Sequence, residues 1–167
     1  MSDLGRIYLV GMPGSGKSFL GKPLAEAMNV PYLDMDPEIE AKEGKTISEI
    51  FSSLGENYFR KLEAAMLRAL SANHQNAVIS TGGGAPCFHH GMDFINENGT
   101  SVFLVTDKEV LLDRLSRKSH RPLMQGDIGE KTDDLLKTRL PIYQQAHLAI
   151  SHRDVSSLIE SIQTLKS

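Results

Sequence analysis

The chain has 167 residues, with 18 lysines and arginines against 21 aspartates and glutamates, so its formal net charge is −3. That length points to one domain, the near-neutral charge excludes the basic footprint of a nucleic-acid binder, and a composition 40% hydrophobic and 23% charged excludes disorder. A lone cysteine, Cys87, excludes an internal disulfide framework and fits a reducing compartment. Glycine is present at close to the average share, 14 residues, yet six of them fall in two short clusters: Gly11, Gly14, Gly16 and Gly82, Gly83, Gly84. No signal-like segment opens the sequence, and no apolar run approaches the ~18 residues of a spanning helix. A soluble, cytoplasmic protein with no membrane partner is the expectation.

Short β-rich runs alternate with helical patterns along the chain. Residues 6–10 form an apolar run stopped by Gly11, the pattern of a buried parallel strand. Leu20, Leu24 and Met28 mark a helix over 17–28, and Tyr32-Leu33-Asp34 reads as a second strand. Two short helices follow over 37–43 and 46–54, parted by Gly44, and then a longer one over 56–70. Residues 77–81 are a third strand ended by the glycine triplet, 88–96 a helix, and 101–105 a fourth strand. Asp107 can cap the helix that carries Val110, Leu111 and Leu115. Residues 121–134 are polar, with Pro122, Gly126 and Gly129, and read as an exposed loop. A helix over 133–143, with Pro141 near its end, leads to a fifth strand over 148–151 and a final amphipathic helix marked by Val155, Leu158, Ile159, Ile162 and Leu165. Alternating strands and helices imply a parallel sheet covered on both faces. Right-handed crossovers then place every strand's C-terminal end, and so both glycine clusters and Asp34, on one edge.

The most specific local pattern is Gly11-Met12-Pro13-Gly14-Ser15-Gly16-Lys17-Ser18, which matches the phosphate-loop pattern between a predicted strand and a helix. Its glycines let the backbone curl so that successive N–H groups face phosphate oxygens, and the following helix adds its positive dipole end. Lys17 is placed for the β- and γ-phosphates of ATP, and Ser18 offers a hydroxyl to Mg2+. Asp34 and Asp36 stand one residue apart at the end of the second strand; if the strand continues they point to opposite sides, one toward a metal and one toward a phosphoryl acceptor. Asp36 also precedes Pro37, so helix capping is an alternative use. The glycine triplet reads either as a turn or as a wall against which a ligand meets backbone amides. Arg60, Arg114, Arg121 and Arg139 read as solvated charges taken singly.

Taken together, G-M-P-G-S-G-K-S, the D-x-D of Asp34 and Asp36, G-E-x-Y-F-R ending at Arg60 with Glu63 beyond it, S-T-G-G-G ending at Gly84, R-P-L from Arg121 and R-x-x-x-Y from Arg139 to Tyr143 resemble the shikimate kinase family over residues 7–149. The resemblance implies an α/β three-layer P-loop fold, a five-stranded parallel sheet of order 2-3-1-4-5 with helices on both faces. It implies transfer of the γ-phosphate of ATP to the 3-hydroxyl of shikimate, on the route to chorismate and aromatic amino acids. By the same resemblance Lys17, Asp36 and Arg121 are catalytic. Gly14, Ser15, Gly16, Lys17, Ser18, Phe19, Arg114, Arg121 and Arg153 bind the nucleotide. Asp36, Arg60, Arg139, Gly82 and Gly83, with Gly84 as an extension, bind shikimate, and Phe51 and Phe59 line its site. Ser18 and Asp34, the latter through water, hold Mg2+. One domain over 1–167 is implied, with a substrate-binding segment about 34–61 and a mobile lid about 117–131, and a monomer is the default.

Met35 departs from the family's small hydroxyl residue at that position, and the lid sequence is not diagnostic. Two other readings stay open: another small-molecule kinase of this fold, such as a gluconate or nucleotide kinase, and a nucleotide-binding protein without kinase activity. His89 and His90 read as a solvated helix start, Cys87 as a packing residue, and Met12, Met28 and Met66 as core or loop fillers.

Overall fold

A computed structural model of the chain describes residues 3–117 and 127–167. Five strands, β1 (Arg6–Val10), β2 (Tyr32–Asp34), β3 (Ala77–Ser80), β4 (Thr100–Leu104) and β5 (Leu148–Ile150), pair in parallel in the order β2-β3-β1-β4-β5. β1 is central and buried beyond its first residue. Its side chains alternate between the faces, as strand geometry demands. Tyr8 and Val10 join Ile79 and Phe103 on one face, while Ile7 and Leu9 join Val78, Val102 and Leu104 on the other. This is the α/β P-loop architecture expected from the sequence.

The second face is covered by α1 (Lys17–Met28) and α8 (Val155–Lys166), which supply Leu20, Leu24, Leu158 and Ile162. The first face is covered by α2 (Met35–Glu43), α3 (Ile47–Leu54), α4 (Glu56–Asn73), α5 (Gly91–Asn98), α6 (Lys108–Ser116) and α7 (Ile128–Tyr143). No helix among the described residues is long and apolar enough to cross a membrane.

Several expectations change. β2 ends at Asp34 and α2 begins at Met35, so Asp36 lies in a first helical turn and strand alternation does not separate the two carboxylates. The helix expected over 88–96 starts at Gly91, because Ala85–Cys87 is a 3-10 turn and His89 and His90 adopt left-handed φ of 51° and 56°. Asp107 precedes α6 without a side-chain capping bond. Residues 128–132, read as loop, belong to α7: Asp127 accepts from the Glu130 N–H at 3.1 Å, and the buried Thr132 shares a core-facing stripe with Ile128, Leu135 and Leu136. Pro141 is accommodated inside the same helix. Residues 118–126, which carry most of the expected lid, lie outside the described residues.

α2 and α3 meet at a turn held by side chains. The Ile47 N–H donates to Glu40 at 2.9 Å. Thr46 Oγ1 accepts from the Glu49 N–H at 3.1 Å, and Glu49 Oε2 accepts from the Thr46 N–H at 2.8 Å, a reciprocal capping box. Thr46→Ala removes one half of it and is expected to lower unfolding free energy by about 1 kcal/mol. Urea denaturation checks this; an unchanged midpoint would show that the turn does not depend on the box.

Candidate active site

A cavity of about 1080 Å3 opens where β1, β2 and β3 end, and the segments that follow all three strands line it. The loop after β1 contributes Gly14, Gly16, Lys17, Ser18 and Phe19. Gly14 and Gly16 hold φ of 84° and 92°, a region costly for any residue with a Cβ. Gly16 precedes α1 without a side-chain cap, so the first-turn N–H groups of that helix form the kind of terminus that binds anions. Lys17 Nζ donates back to the Gly11 and Met12 carbonyls at 2.7 and 3.0 Å. Ser15 is the exception in the stretch: it is not among the lining residues, its side chain is buried, and its N–H donates to Met12 O at 3.0 Å. Phe19 lines the cavity and is 78% exposed.

Arg114 and Arg153 reach the same loop from α6 and from the turn before α8. Arg114 Nη1 donates to Gly14 O at 2.7 Å, and Arg153 Nη2 donates to Ser15 O, Val105 O and Thr106 Oγ1 at 3.1, 3.0 and 2.9 Å. Burial and the neighbouring Arg114 charge push the Arg153 guanidinium below its ordinary pKa. Both arginines therefore stand beside the loop after β1. Arg121, expected with them, lies outside the described residues.

At the β2 end, Ser18 Oγ donates to Asp34 Oδ2 at 2.9 Å. The Tyr32 hydroxyl donates to Ser80 Oγ at 2.9 Å and leans on Asp34 Oδ2 at 3.4 Å, and Asp34 pairs with Ser80 across the strands. Burial pushes the Tyr32 phenol up, which keeps it a donor. Among the described residues no group of three His, Cys, Asp or Glu side chains gathers to hold a metal ion. The hydroxyl and carboxylate of Ser18 and Asp34 are hard oxygen donors that suit Mg2+, which commonly binds through one or two protein groups and fills its remaining positions with water and phosphate.

Opposite these groups the cavity is lined by Asp36, Phe51, Phe59, Arg60, Gly83, Gly84 and Arg139. Arg60 is 4% exposed. Its Nη1 donates to Glu63 Oε1 at 2.9 Å, and its Nε and Nη2 donate to Glu56 Oε1 at 3.3 and 3.2 Å. Its guanidinium carbon lies 4.4, 5.3 and 6.0 Å from the ring centroids of Phe88, Phe59 and Phe51. Burial raises the Glu63 carboxyl above its ordinary pKa against the pull of Arg60, while Asp36 raises it further and Arg139 lowers it. The four charges of Arg60, Glu63, Asp36 and Arg139 thus form one cluster.

The glycine triplet fits into this cluster. A Cβ on Gly82 would collide with the Glu63 carboxylate, and one on Gly84 would collide with the Arg60 guanidinium. On Gly83 it would come within 3.0 Å of Arg139 Nη1 and 2.9 Å of Pro13. Gly83 and Gly84 line the cavity, and Gly82 is not among its lining residues. The triplet is as much a space for the protein's own charged side chains as a wall for a ligand.

Sequence reasoning passed over three contributors. Phe88 packs its ring against Arg60, but its position after a 3-10 turn rather than in a helix carried no signal. Glu63 appeared only as a residue following a motif, and Tyr143 only as a motif's last letter. Tyr143 is fully buried and donates its hydroxyl to Gly83 O at 2.5 Å. Cys87 is half-buried, and burial lifts its thiol to about 11 despite Arg139 and Arg60, which keeps it protonated at neutral pH.

The shikimate kinase family model matches residues 13–166. A shikimate kinase of Bacteroides fragilis is 42% identical over 172 residues, covering 96% of this chain and 94% of that protein. The structure of a shikimate kinase from Acinetobacter baumannii, in complex with shikimate, superposes with a TM-score of 0.89 at 39% identity, over 98% of this chain and 93% of that one. A gluconokinase from Sinorhizobium meliloti, at 16% identity and a TM-score of 0.57 over 99% of this chain and 93% of that one, shares the fold alone.

Among the described residues, removing Arg60 leaves the Glu63 carboxylate buried beside Asp36 with Arg139 as the cation acting on it. Arg60→Ala is expected to lower unfolding free energy by about 3–5 kcal/mol near neutral pH. Without Arg60, the Glu63 pKa in the folded state rises further above its unfolded value near 4.5. The neutral-acid contribution to stability is then complete below 4.5 and disappears as pH climbs through the folded-state pKa. Urea unfolding at pH 5 and pH 8 should therefore show a larger loss at pH 8; an equal loss at both would deny Glu63 this role.

Proposed function

The chain belongs to the shikimate kinase family, and from that premise we propose that its cavity holds ATP along residues 14–19 and shikimate between Asp36, Arg60, Arg139 and the Gly83–Gly84 backbone. The activity is phosphorylation of shikimate with ATP as co-substrate, a step of the shikimate pathway. The observation that carries the residue assignment is the sharing of one cavity by a phosphate loop and two buried arginines with a carboxylate.

Shikimate offers one carboxylate and several ring hydroxyls. Arg60 and Arg139 grip the carboxylate; charge-assisted hydrogen bonds of this kind contribute about 1.5–3 kcal/mol each. The Phe51 and Phe59 rings, 4.9 Å apart, supply an apolar side for the carbon ring. Asp36 lies beside the glycine triplet and orients the 3-hydroxyl, accepting its proton as the oxygen attacks the γ-phosphorus. The segment 34–61 thereby forms the acceptor side of the single domain.

On the donor side, backbone N–H groups of the loop and the α1 terminus cradle the phosphates. Lys17 exchanges its carbonyl partners, Gly11 and Met12, for phosphate oxygens and follows the charge that moves toward the leaving group. Arg114 and Arg153 form the flank of the nucleotide beside Gly16. Ser18 and, through water, Asp34 would hold Mg2+, which would neutralise negative charge on the phosphates.

ADP release from Mg-ATP is to be measured against shikimate, gluconate and nucleoside monophosphates. Turnover with shikimate alone is expected, and turnover with a monophosphate instead would remove the acceptor assignment. Asp36→Asn should keep ATP binding and lose about 10²–10⁴ in kcat; a near-normal kcat takes Asp36 out of proton transfer. Lys17→Met should lose about 3–4 kcal/mol of transition-state stabilisation, read as a drop in kcat with KM for shikimate little changed; a rise in KM alone would make Lys17 a binding residue only.

A further inference from the structure

Tyr143 lies on α7 one turn beyond Arg139, so the two side chains issue from the same face of the helix. Between them stands Pro141, which has no N–H to give the preceding turn and weakens the helix there. The last turn of α7 keeps its backbone bond from Gln144 N–H to Leu140 O at 2.9 Å and gains a tertiary anchor. Tyr143 holds it at two points. Its ring packs on Phe103 of β4, with centroids 5.3 Å apart, and its hydroxyl donates to the Gly83 carbonyl at 2.5 Å. The residue is fully buried, and burial raises its phenol so far that it remains a donor at any working pH.

The bond reaches the peptide between the two glycines that line the cavity. In a planar trans peptide the N–H of Gly84 points opposite to the carbonyl of Gly83. A hydroxyl that fixes the carbonyl therefore also fixes the direction of that amide. Glycines have the widest conformational freedom, so this peptide needs an external anchor more than most. Arg139 adjoins both partners: its Nη1 would lie 3.0 Å from a Cβ on Gly83, and its guanidinium acts directly on the Tyr143 phenol. Arg139 and the glycine backbone are thus joined through a short closed path: helix α7, Tyr143, Gly83.

We propose that Tyr143 is a positioning residue for the acceptor: its hydroxyl fixes the Gly83–Gly84 peptide and the last turn of α7, and so sets the spacing between the Arg139 guanidinium and the glycine backbone. This rests on the reading of that spacing as the shikimate site. The phosphate loop meets Gly83 at Pro13, whereas residues 14–19, read as the ATP cradle, take their shape from the positive φ of Gly14 and Gly16. The effect of losing the hydroxyl is therefore specific to one substrate.

The test is Tyr143→Phe in the full chain, with KM for shikimate, KM for ATP, kcat and Tm measured together. Expected are a rise of about tenfold in KM for shikimate, the scale of one buried hydrogen bond, and a KM for ATP within about twofold. Phe103→Leu removes the ring contact while keeping the hydroxyl, and should lower Tm with little change in KM for shikimate. Equal rises in both KM values for Tyr143→Phe, or a Phe103→Leu effect on shikimate as large as that of Tyr143→Phe, would reduce Tyr143 to a packing residue and overturn the proposal. Arg139→Lys separates the two levels. If it raises KM for shikimate while Tyr143→Phe does not, the positioning role fails and the acceptor site stands. If neither variant affects shikimate, the acceptor site itself is misassigned.

Discussion

Arg60 carries its charge at 4% exposure, and much of one side of the cavity is arranged around that fact. A guanidinium out of water needs opposite charge, hydrogen-bond acceptors and polarizable surface close by. Glu63 and Glu56 supply the first two, and the rings of Phe51, Phe59 and Phe88 supply the third. Gly84 leaves the space in which the guanidinium sits, and Gly82 leaves space for the Glu63 carboxylate. The buried pair is therefore held in one geometry, with little side-chain freedom left to lose.

The two halves of the cavity solve different problems with the same residue type. Around the phosphate loop, glycine is needed for conformation, because Gly14 and Gly16 hold positive φ so that backbone donors converge. In the Gly82–Gly84 triplet it is needed for volume, because charged side chains press against each Cα. The first use creates donors for an anion of high charge. The second brings Arg60, Glu63, Asp36 and Arg139 close enough to act as one electrostatic unit. Parallel pairing of β1, β2 and β3 places both at the same sheet edge, where they open onto one cavity.

Much of this was legible in the chain because the signals are local. An apolar run followed by G-x-x-x-x-G-K-S defines β1, the loop and the start of α1, since strand burial, glycine φ and helix dipole all act within a dozen residues. Asp34, Asp36, Arg60 and the triplet were recognisable as an ordered set. Less legible were places where a distant contact chooses between local options. Asp36 is on a helix rather than a strand, although residues 34–37 suit either. The start of α7 has a stripe interrupted by a polar residue: Thr132 is buried between Ile128 and Leu135 among charged neighbours.

By itself the sequence determined the alternation of strands and helices, the phosphate loop and the residue types able to handle ATP and a carboxylate-bearing alcohol. Tertiary structure alone decided how those residues are supported. It set Phe88 under Arg60, tied Tyr143 to the Gly83 carbonyl across 60 positions, and turned the triplet from a flexible turn into a packed seam between arginines. The reason is that burial, close packing and the pairing of buried charge depend on neighbours far along the chain, whereas backbone conformation and helix capping depend on neighbours a few residues away.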